Sequence, residues 1–399
     1  MYKLSKYNLA TKVAQEGVTV FNTRTGATML IEDKKTKRMF MGLEPLQFLG
    51  IPSIEIETLI DCGFIVKSDF DEDIEIEKYV DFYNTYNDEI IICYQVCESN
   101  VLLENQINEF TSVLTQLRDY FNRNAHIKLL VSFNNHCIFE KLQNFVTLLI
   151  ENYGNSIEIS FETDYERLLR ILNVIDKFQM INSLTCNARI DEVMHFDINL
   201  LKLCQIPILF NVVYDASSLL YVPAIYERFS SEEEIKGLVT FNIEYFDKKC
   251  GVQAFYDEYT DNMLKEDFYD NCRKNQIQYQ RKNYLKPFGM MCLASRPGYF
   301  IINSSMEVFK CRKQATMNTG KVAFLLNGKL VFDEKELNKW KISYQKLREK
   351  KECMCCKLLP MCLNQMCNLE SMSAIPCMRE KIEQRIINEV KRLTIKNQV

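Results

Sequence analysis

Cysteine is the residue type with the clearest chemical pattern in this chain. Eight of its sixteen cysteines lie from Cys292 onward. Five of these follow the spacing C-x2-C-x5-C-x4-C-x9-C between Cys353 and Cys377, and a C-x18-C pair ending at Cys311 precedes them. Thiolates spaced in this way can bind one metal centre, and all-sulfur ligation is typical of iron–sulfur clusters or zinc. The segment is therefore predicted to bind metal, with enough thiolates for two centres.

Composition narrows the class of protein. The chain has 399 residues and is 47% hydrophobic, so it can bury two or three hydrophobic cores. Its net charge of −4 argues against a general nucleic-acid binder. No apolar run is long enough to span a bilayer, and the first residues lack an apolar signal core. We therefore expect a cytoplasmic protein without nucleic-acid or membrane partners, whose cysteines are metal ligands or buried thiols rather than disulfides. Three histidines leave little scope for histidine chemistry.

Apolar segments between residues 88 and 245 alternate between strand-like and helix-like spacing. Amphipathic helices are predicted between consecutive strands, which is typical of a parallel sheet with helices outside it. Six such units favour either a partial (β/α)6 barrel or an open doubly wound sheet. The predicted strands are Glu89–Tyr94, Lys128–Phe133, Ile157–Phe161, Ile181–Cys186, Pro207–Tyr214 and Leu238–Ile243.

The first 75 residues are predicted to form a separate unit. Two short strands flank a turn at Asn22–Gly26, a helix follows around Lys34–Leu49, and a second helix ends at Gly63 before another strand. A hairpin combined with helices suggests a winged-helix-like module. The acidic stretch 69–77 is interpreted as a linker.

The C-terminal cysteines and their flanking residues resemble the SPASM cluster domain of radical S-adenosylmethionine peptide maturases. The resemblance includes the C-L-A-S-R-P-G-Y-F-I-I-N-S-S-M-E-V-F-K-C hairpin and Leu358–Pro360 before Cys362. It implies two auxiliary [4Fe–4S] clusters, with Cys355 as an extra thiol and structural zinc as the alternative. The implied ligands are Cys353, Cys356, Cys362 and Cys377 for one cluster, and Cys292, Cys311 and Cys367 for part of the other.

An active enzyme of that family carries C-x3-C-x2-C after its first barrel strand, and those three thiolates hold the cluster that binds S-adenosylmethionine. In this chain Cys93 and Cys97 match the first spacing, but Asn100 stands where the third cysteine belongs. Cys93 is also expected to lie within the strand itself. The primary cluster is therefore predicted to be absent.

Two further elements of the cofactor site are missing. Residues 132–140 read S-F-N-N-H-C-I-F-E in place of a Gly-Gly-Glu-Pro motif, and F-E-T-D-Y (161–165) replaces Asn-Gly. Cys93, Cys97 and Cys137 are interpreted as buried thiols, and a rebuilt metal site that includes His136 is the alternative. S-adenosylmethionine binding is not expected.

The N-terminal segment also resembles this family. F-N-T-R-T-G (21–26) and L-I-D-C-G-F-I-V (59–66) match motifs of its peptide-recognition unit, which adds the leader of a ribosomal precursor peptide to a sheet edge as an extra strand. The alternative is a structural cap.

The resulting prediction is an α/β protein with three parts. Residues 1–75 form the winged-helix-like peptide-recognition unit, residues 88–285 a partial (β/α)6 radical-SAM-like barrel, and residues 286–399 a SPASM-type iron–sulfur domain with a C-terminal helix. The expected function is to bind a precursor peptide and assist a separate radical maturase without independent radical activity. The alternatives are an active radical peptide maturase with an atypical cofactor site, and a zinc-stabilised peptide-binding module.

Overall fold

The chain forms two compact units in a computed structural model. The first unit comprises Met1–Tyr86, Lys282–Pro297 and Asn338–Val399, and the second comprises Asn87–Arg281 and Gly298–Leu337. The residues that the structure describes are 1–12, 17–45, 53–85, 88–96, 104–133, 139–173, 181–215, 218, 221–247, 252–253, 259–280, 285–289, 291–363, 379, 383–384, 386–387 and 389–390.

The first unit begins with short strands and three helices. Strands β2, β3 and β4 form an antiparallel sheet in that order, and β1 pairs with β5 in a separate two-stranded sheet. The elements are β1 (Tyr2–Leu4), β2 (Asn8–Lys12), β3 (Val18–Asn22), β4 (Thr28–Ile31), α1 (Lys34–Phe40), α2 (Ser53–Asp61), β5 (Ile65–Lys67) and α3 (Glu72–Thr85).

In the part of the second unit that the structure describes, twelve strands form one sheet. Its elements up to β13 are β6 (Glu89–Val96), α4 (Glu104–Phe121), β7 (His126–Phe133), α5 (Phe139–Tyr153), β8 (Ile157–Asp164), α6 (Tyr165–Leu172), β9 (Ser183–Arg189), α7 (Ile190–Met194), α8 (Ile198–Cys204), β10 (Ile208–Tyr214), α9 (Val222–Ser230), β11 (Val239–Asp247), β12 (Val252–Gln253), α10 (Tyr259–Lys274) and β13 (Gln278–Tyr279). Its later elements are β14 (Tyr299–Ile302), β15 (Val308–Phe309), α11 (Arg312–Met317), β16 (Ala323–Leu326), β17 (Lys329–Phe332) and α12 (Glu334–Asn338). The strand order is β12-β11-β10-β9-β8-β7-β6-β14-β15-β16-β17, with β13 beside β11.

Strands β6 to β11 pair in parallel, each with the next in sequence. Helix α4 shows why the chain folds this way, because its apolar residues recur at helical spacing and are buried. They are Ile107, Phe110, Val113, Leu114 and Leu117. Along β8, buried and half-buried positions alternate, so only one face of that strand lies in the apolar core.

The predicted fold is wrong, because the described residues do not combine a partial (β/α)6 barrel with a separate SPASM-type domain. The hairpin assigned to a SPASM domain is instead part of the large sheet, because β14 pairs in parallel with β6 and β15 to β17 continue outward from it. The six predicted parallel strands are thus the middle of one long mixed sheet rather than an independent partial (β/α)6 barrel. Local sequence patterns predicted each of the six parallel strands. They did not predict the β6–β14 pairing, which joins residues about two hundred positions apart in sequence.

The described residues of the first 75 positions do not form the predicted winged-helix-like module either. The predicted hairpin is part of the three-stranded sheet, and the strand after Gly63 pairs with β1 rather than with that hairpin. The reason is that strands β1 and β2, which were not predicted from the sequence, pair with β5 and β3.

The acidic stretch 69–77 is not a linker. Glu72 begins α3, and its buried carboxylate accepts hydrogen bonds from the Ser5 hydroxyl and the Lys6 amide.

The two N-terminal motifs contact each other in the first unit. Asn22 is fully buried, and its amide nitrogen donates to the Gly63 carbonyl (2.8 Å) and to Asn8 Oδ1 (2.8 Å). Its Oδ1 accepts from the backbone amides of Arg24 (3.0 Å) and Thr25 (3.1 Å). Asn22 therefore shapes the turn that follows β3 and fastens it to the end of α2.

Among the described residues after position 338, three short helices also belong to the first unit. These are α13 (Tyr344–Glu349), α14 (Lys351–Met354) and α15 (Leu359–Cys362). Within the described parts of the chain, no helix is both long and apolar enough to cross a membrane.

Candidate functional site

Three of the predicted metal ligands lie on consecutive tight turns. Cys353 is in α14, Cys356 follows that helix, and Cys362 is the last residue of α15. The Cys356 amide donates to the Cys353 carbonyl (2.9 Å), and the Leu359 amide donates to the Cys356 carbonyl (3.1 Å). Leu363 then adopts a left-handed conformation with a φ of 41°, which ends α15. This cysteine segment, residues 351–363, therefore has a defined local backbone.

The cysteine segment packs on strands from the beginning of the chain. Cys356 is buried in a cluster with Leu9 and Phe21, and Cys362 packs against the same cluster. Cys353 packs against a second cluster that contains Tyr7. The Thr23 hydroxyl also donates a hydrogen bond to the carbonyl of Lys357. The N-terminal sheet thus holds the segment in place.

The other predicted ligands have different surroundings. Cys292 is half-buried in the first unit, where its carbonyl accepts from the Ser295 amide (3.1 Å) and hydroxyl (2.6 Å). Burial raises the pKa of nearby Tyr83 to about 12, with a further contribution from Cys292. Cys311 is half-buried in the second unit, and Cys355 is exposed. Cys367 and Cys377 lie outside the described residues.

The chemistry of this donor set suits iron–sulfur clusters or zinc, because both prefer thiolate ligands. Among the side chains that the structure describes, no three histidine, cysteine or carboxylate groups lie close enough together to hold a metal ion. The described cysteines therefore do not form a complete site on their own. A complete set would also need Cys367 and Cys377.

Cys93 is a buried thiol in the middle of the second unit. It lies within β6, is 3% exposed, and packs with Ile301, Phe309 and Ala315. Its Sγ is 3.6 Å from the Tyr299 hydroxyl. The predicted position inside the strand is therefore correct. Cys97, Asn100, His136 and Cys137 are outside the described residues.

An ion pair beside Cys93, between Arg312 and Glu162, was not predicted from the sequence. Glu162, on β8, accepts two hydrogen bonds from the Arg312 guanidinium, at 3.1 Å to Oε1 and 2.8 Å to Oε2. It also accepts from the Ser132 hydroxyl (2.6 Å) and the Asn187 amide (3.1 Å). Arg312 Nη2 lies 3.8 Å from Cys93 Sγ. Since a carboxylate has about four lone-pair sites, Glu162 is fully engaged and is suited to hold Arg312 rather than to transfer protons.

The charges of this group are strongly coupled. Burial by itself would raise the pKa of Glu162, but hydrogen bonds and charge from Arg312, with bonds from Ser132 and Asn187, hold it below its ordinary value. Burial likewise opposes the charge on Arg312, yet Glu162 raises the pKa of the guanidinium above its ordinary value. Burial and the neighbouring Cys93 raise the pKa of Tyr299. Glu162 and Arg312 are therefore both charged at neutral pH.

Side-chain amides continue from Glu162 across the sheet. The Asn242 amide donates to Asn211 Oδ1 (3.1 Å), and the Asn211 amide donates to Asn187 Oδ1 (3.0 Å). These asparagines lie at paired positions on β9, β10 and β11. The sequence contained a signal for this polar row. Strands covered on both faces are almost continuously apolar, whereas these strands carry polar residues on one face.

A separate small cavity lies in the first unit. Its volume is about 240 Å³, and it is lined by basic and apolar residues from β2, β3, α1 and the turn after α1. These are Lys12, Gly17, Val18, Lys37, Arg38, Met41 and Leu43. Arg38 in this lining is paired with Glu44 (2.5 Å).

Comparison with known proteins does not assign a family. No protein-family model matches the chain, and no curated protein matches it. Among solved structures, it is similar to a dipeptide epimerase from Methylococcus capsulatus complexed with Mg ion. The sequence identity is 9% and the TM-score is 0.27, over 83% of this chain and 96% of that chain. A likeness this weak carries no argument about function, so the fold and the site define only an α/β protein with a cysteine-rich C-terminal segment.

Proposed function

We propose that this is a cytoplasmic iron–sulfur protein of a ribosomal-peptide maturation system. It binds a precursor peptide and assists a separate radical maturase, without cleaving S-adenosylmethionine itself. The observation that carries the proposal is the spacing of the C-terminal cysteines from Cys292 to Cys377. Clusters held by these thiolates would supply electron transfer or structural rigidity.

Packing in the first unit supports a link between the thiolates and a peptide. The cysteine segment packs against Leu9 and Phe21, which belong to the sheet formed by β2, β3 and β4. Within that sheet β4 is an edge strand, with Thr28 exposed and Met29 and Leu30 half-buried. An edge strand presents backbone groups to which an extended peptide can pair. Peptide binding at this sheet would therefore lie on the same structural unit as the cysteine segment.

The surroundings of Cys93 support the absence of a radical-generating cluster. Its thiol is enclosed by Tyr299, Ile301 and Phe309 inside the sheet. A cluster that binds S-adenosylmethionine needs thiolates on an accessible loop. The protein would then depend on an intact maturase to make the radical.

Anaerobic reconstitution with iron and sulfide tests the metal assignment. We expect about eight irons per chain, as two [4Fe–4S] clusters require. Cys356→Ser should remove about half of that iron, while Cys62→Ser, a control in the same unit, should remove none. Stoichiometric zinc with no iron would favour the zinc-stabilised peptide-binding module. Near twelve irons, together with 5′-deoxyadenosine release on reduction, would favour an active maturase.

Peptide binding is tested separately with a candidate precursor from a neighbouring gene. We expect its leader segment to bind the metal-loaded protein in fluorescence anisotropy. A proline at Thr28 should weaken binding, because Thr28 lies opposite Phe21 at a non-hydrogen-bonded position and its amide faces the open edge of β4. Unchanged affinity for Thr28→Pro in a folded protein would contradict binding at this edge.

A further inference from the structure

Cys311 lies between two anchored cationic residues. On one side, Lys310 is 1% exposed and its Nζ lies 4.4 Å from the centre of the Phe300 ring, a cation–π contact. On the other side, Arg312 is paired with Glu162. The backbone of Cys311 is therefore held from both directions.

Helix α11, which follows Cys311, has little stability of its own. It has six residues, Cys311 is its N-cap residue, and the Cys311 carbonyl accepts from the Ala315 amide (3.0 Å). A helix this short depends on tertiary contacts for its position. Its first residue, Arg312, provides such a contact with the sheet.

Glu162 is fixed by the sheet independently of Arg312. Ser132 on β7 and Asn187 on β9 each donate to a different carboxylate oxygen, so neighbouring strands on both sides set its orientation. The guanidinium of Arg312 then binds both oxygens. A two-point contact of this kind restricts direction more than a single-point contact from lysine would.

We propose that Glu162 and Arg312 are positioning residues for Cys311. Their ion pair fastens the start of α11 to the parallel sheet and so holds the Cys311 thiol in the orientation that a metal centre requires. This inference rests on the proposed iron–sulfur function. It adds a requirement that could not be inferred from the cysteine spacing. Metal binding would also depend on Glu162, a carboxylate on β8 that is not itself a metal ligand.

The first test uses the metal-free full-length protein, and its readout does not involve iron. In Glu162→Gln we expect alkylation of Cys311 by iodoacetamide to be about tenfold faster than in the wild type, as followed by mass spectrometry. The reason is that Arg312 loses its charged partner. Hydrogen exchange in residues 312–317 should accelerate similarly. Arg312→Lys, which keeps the charge but loses the two-point contact, should be intermediate. The matched control is Glu232→Gln, which removes an ion pair with Lys202 elsewhere in the second unit.

The second test is reconstitution of the same variants. Glu162→Gln should lose about half of the iron or change the electron paramagnetic resonance spectrum of one cluster while it remains cooperatively folded at the temperature of reconstitution. Glu232→Gln should keep the iron content of the wild type. Wild-type alkylation, exchange and iron content in Glu162→Gln would overturn the positioning role. If the wild type binds no iron, the proposed function fails, and the alkylation rate still decides whether the ion pair holds Cys311.

Discussion

Asn22 has a fully buried side chain that joins three parts of the first unit. Its amide donates to Asn8 and Gly63, while its oxygen accepts from the turn after β3. Glu162 has a similar organising role in the second unit. In both cases a polar side chain is stable in its surroundings because its hydrogen-bonding groups are paired. Removing either side chain would leave its partners without those bonds.

Asn22→Ala should lower the free energy of unfolding by at least about 2 kcal/mol. The buried acceptors Asn8 Oδ1 and the Gly63 carbonyl lose their donor, and the backbone amides of Arg24 and Thr25 lose their acceptor. Chemical denaturation measures the change. The control is Asn124→Ala, at an exposed position in the second unit, which should change the free energy by about 0.5 kcal/mol or less. Equal effects of the two variants would show that the Asn22 network does not stabilise the fold.

The lowered pKa of Glu162 predicts a specific loss of stability in acid. Because its pKa is lower in the folded than in the unfolded protein, its contribution is fully present above the unfolded value of about 4.3. That contribution is lost as the pH falls from there through the folded pKa. Glu162→Gln should therefore show a smaller loss of stability below about pH 4.3 than the wild type. Parallel stability curves of the two proteins over pH 3–7 would contradict this.

At the scale of elements, β14 decides how the second unit is assembled. It pairs in parallel with β6 and carries the β15–β17 meander with it. The outer edge strand, β17, is protected by α4, because the Gln116 side chain accepts from the Leu330 amide (2.7 Å) and Tyr120 stacks on Phe332 at 3.9 Å. This protection limits pairing of the edge with other chains.

Gly298→Ala tests the junction between β14 and β6. A Cβ at this position would lie 2.5 Å from the Glu89 carbonyl oxygen, so the strands would have to separate. We expect a loss of about 1–3 kcal/mol in the free energy of unfolding. Gly237→Ala is the control, because a Cβ there would have no neighbour within 4 Å. A neutral Gly298→Ala would mean that β14 does not approach β6 this closely.

At the scale of the whole molecule, sequence order and structural units differ. The first unit combines segments from the beginning, the later middle and the end of the chain, and the second is built from the rest. Contacts between the N-terminal sheet and the cysteine segment therefore bring together residues more than 300 positions apart, such as Thr23 and Lys357. Such non-local contacts are costly in chain entropy and slow to form.

A fragment of residues 88–285 should fail to fold cooperatively, whereas a fragment of residues 88–337 should fold. The shorter fragment lacks β14–β17 and leaves β6 as an unprotected edge. Size-exclusion chromatography and thermal unfolding would compare them. A monomeric, cooperatively unfolding shorter fragment would indicate that β6–β11 form an independent barrel after all.

The sequence by itself determined the alternation of strands and helices from β6 to β11, because hydrophobic periodicity is a local property. It also determined the cysteine spacing and the position of Cys93 inside β6. Only the tertiary structure decided that β14–β17 extend the same sheet, that the cysteine segment packs on N-terminal strands, and that Glu162 binds Arg312. Each of these features joins residues that are distant in sequence, through a strand pairing or a side-chain contact. Hydrophobic periodicity is local, so it cannot predict which distant residues pair.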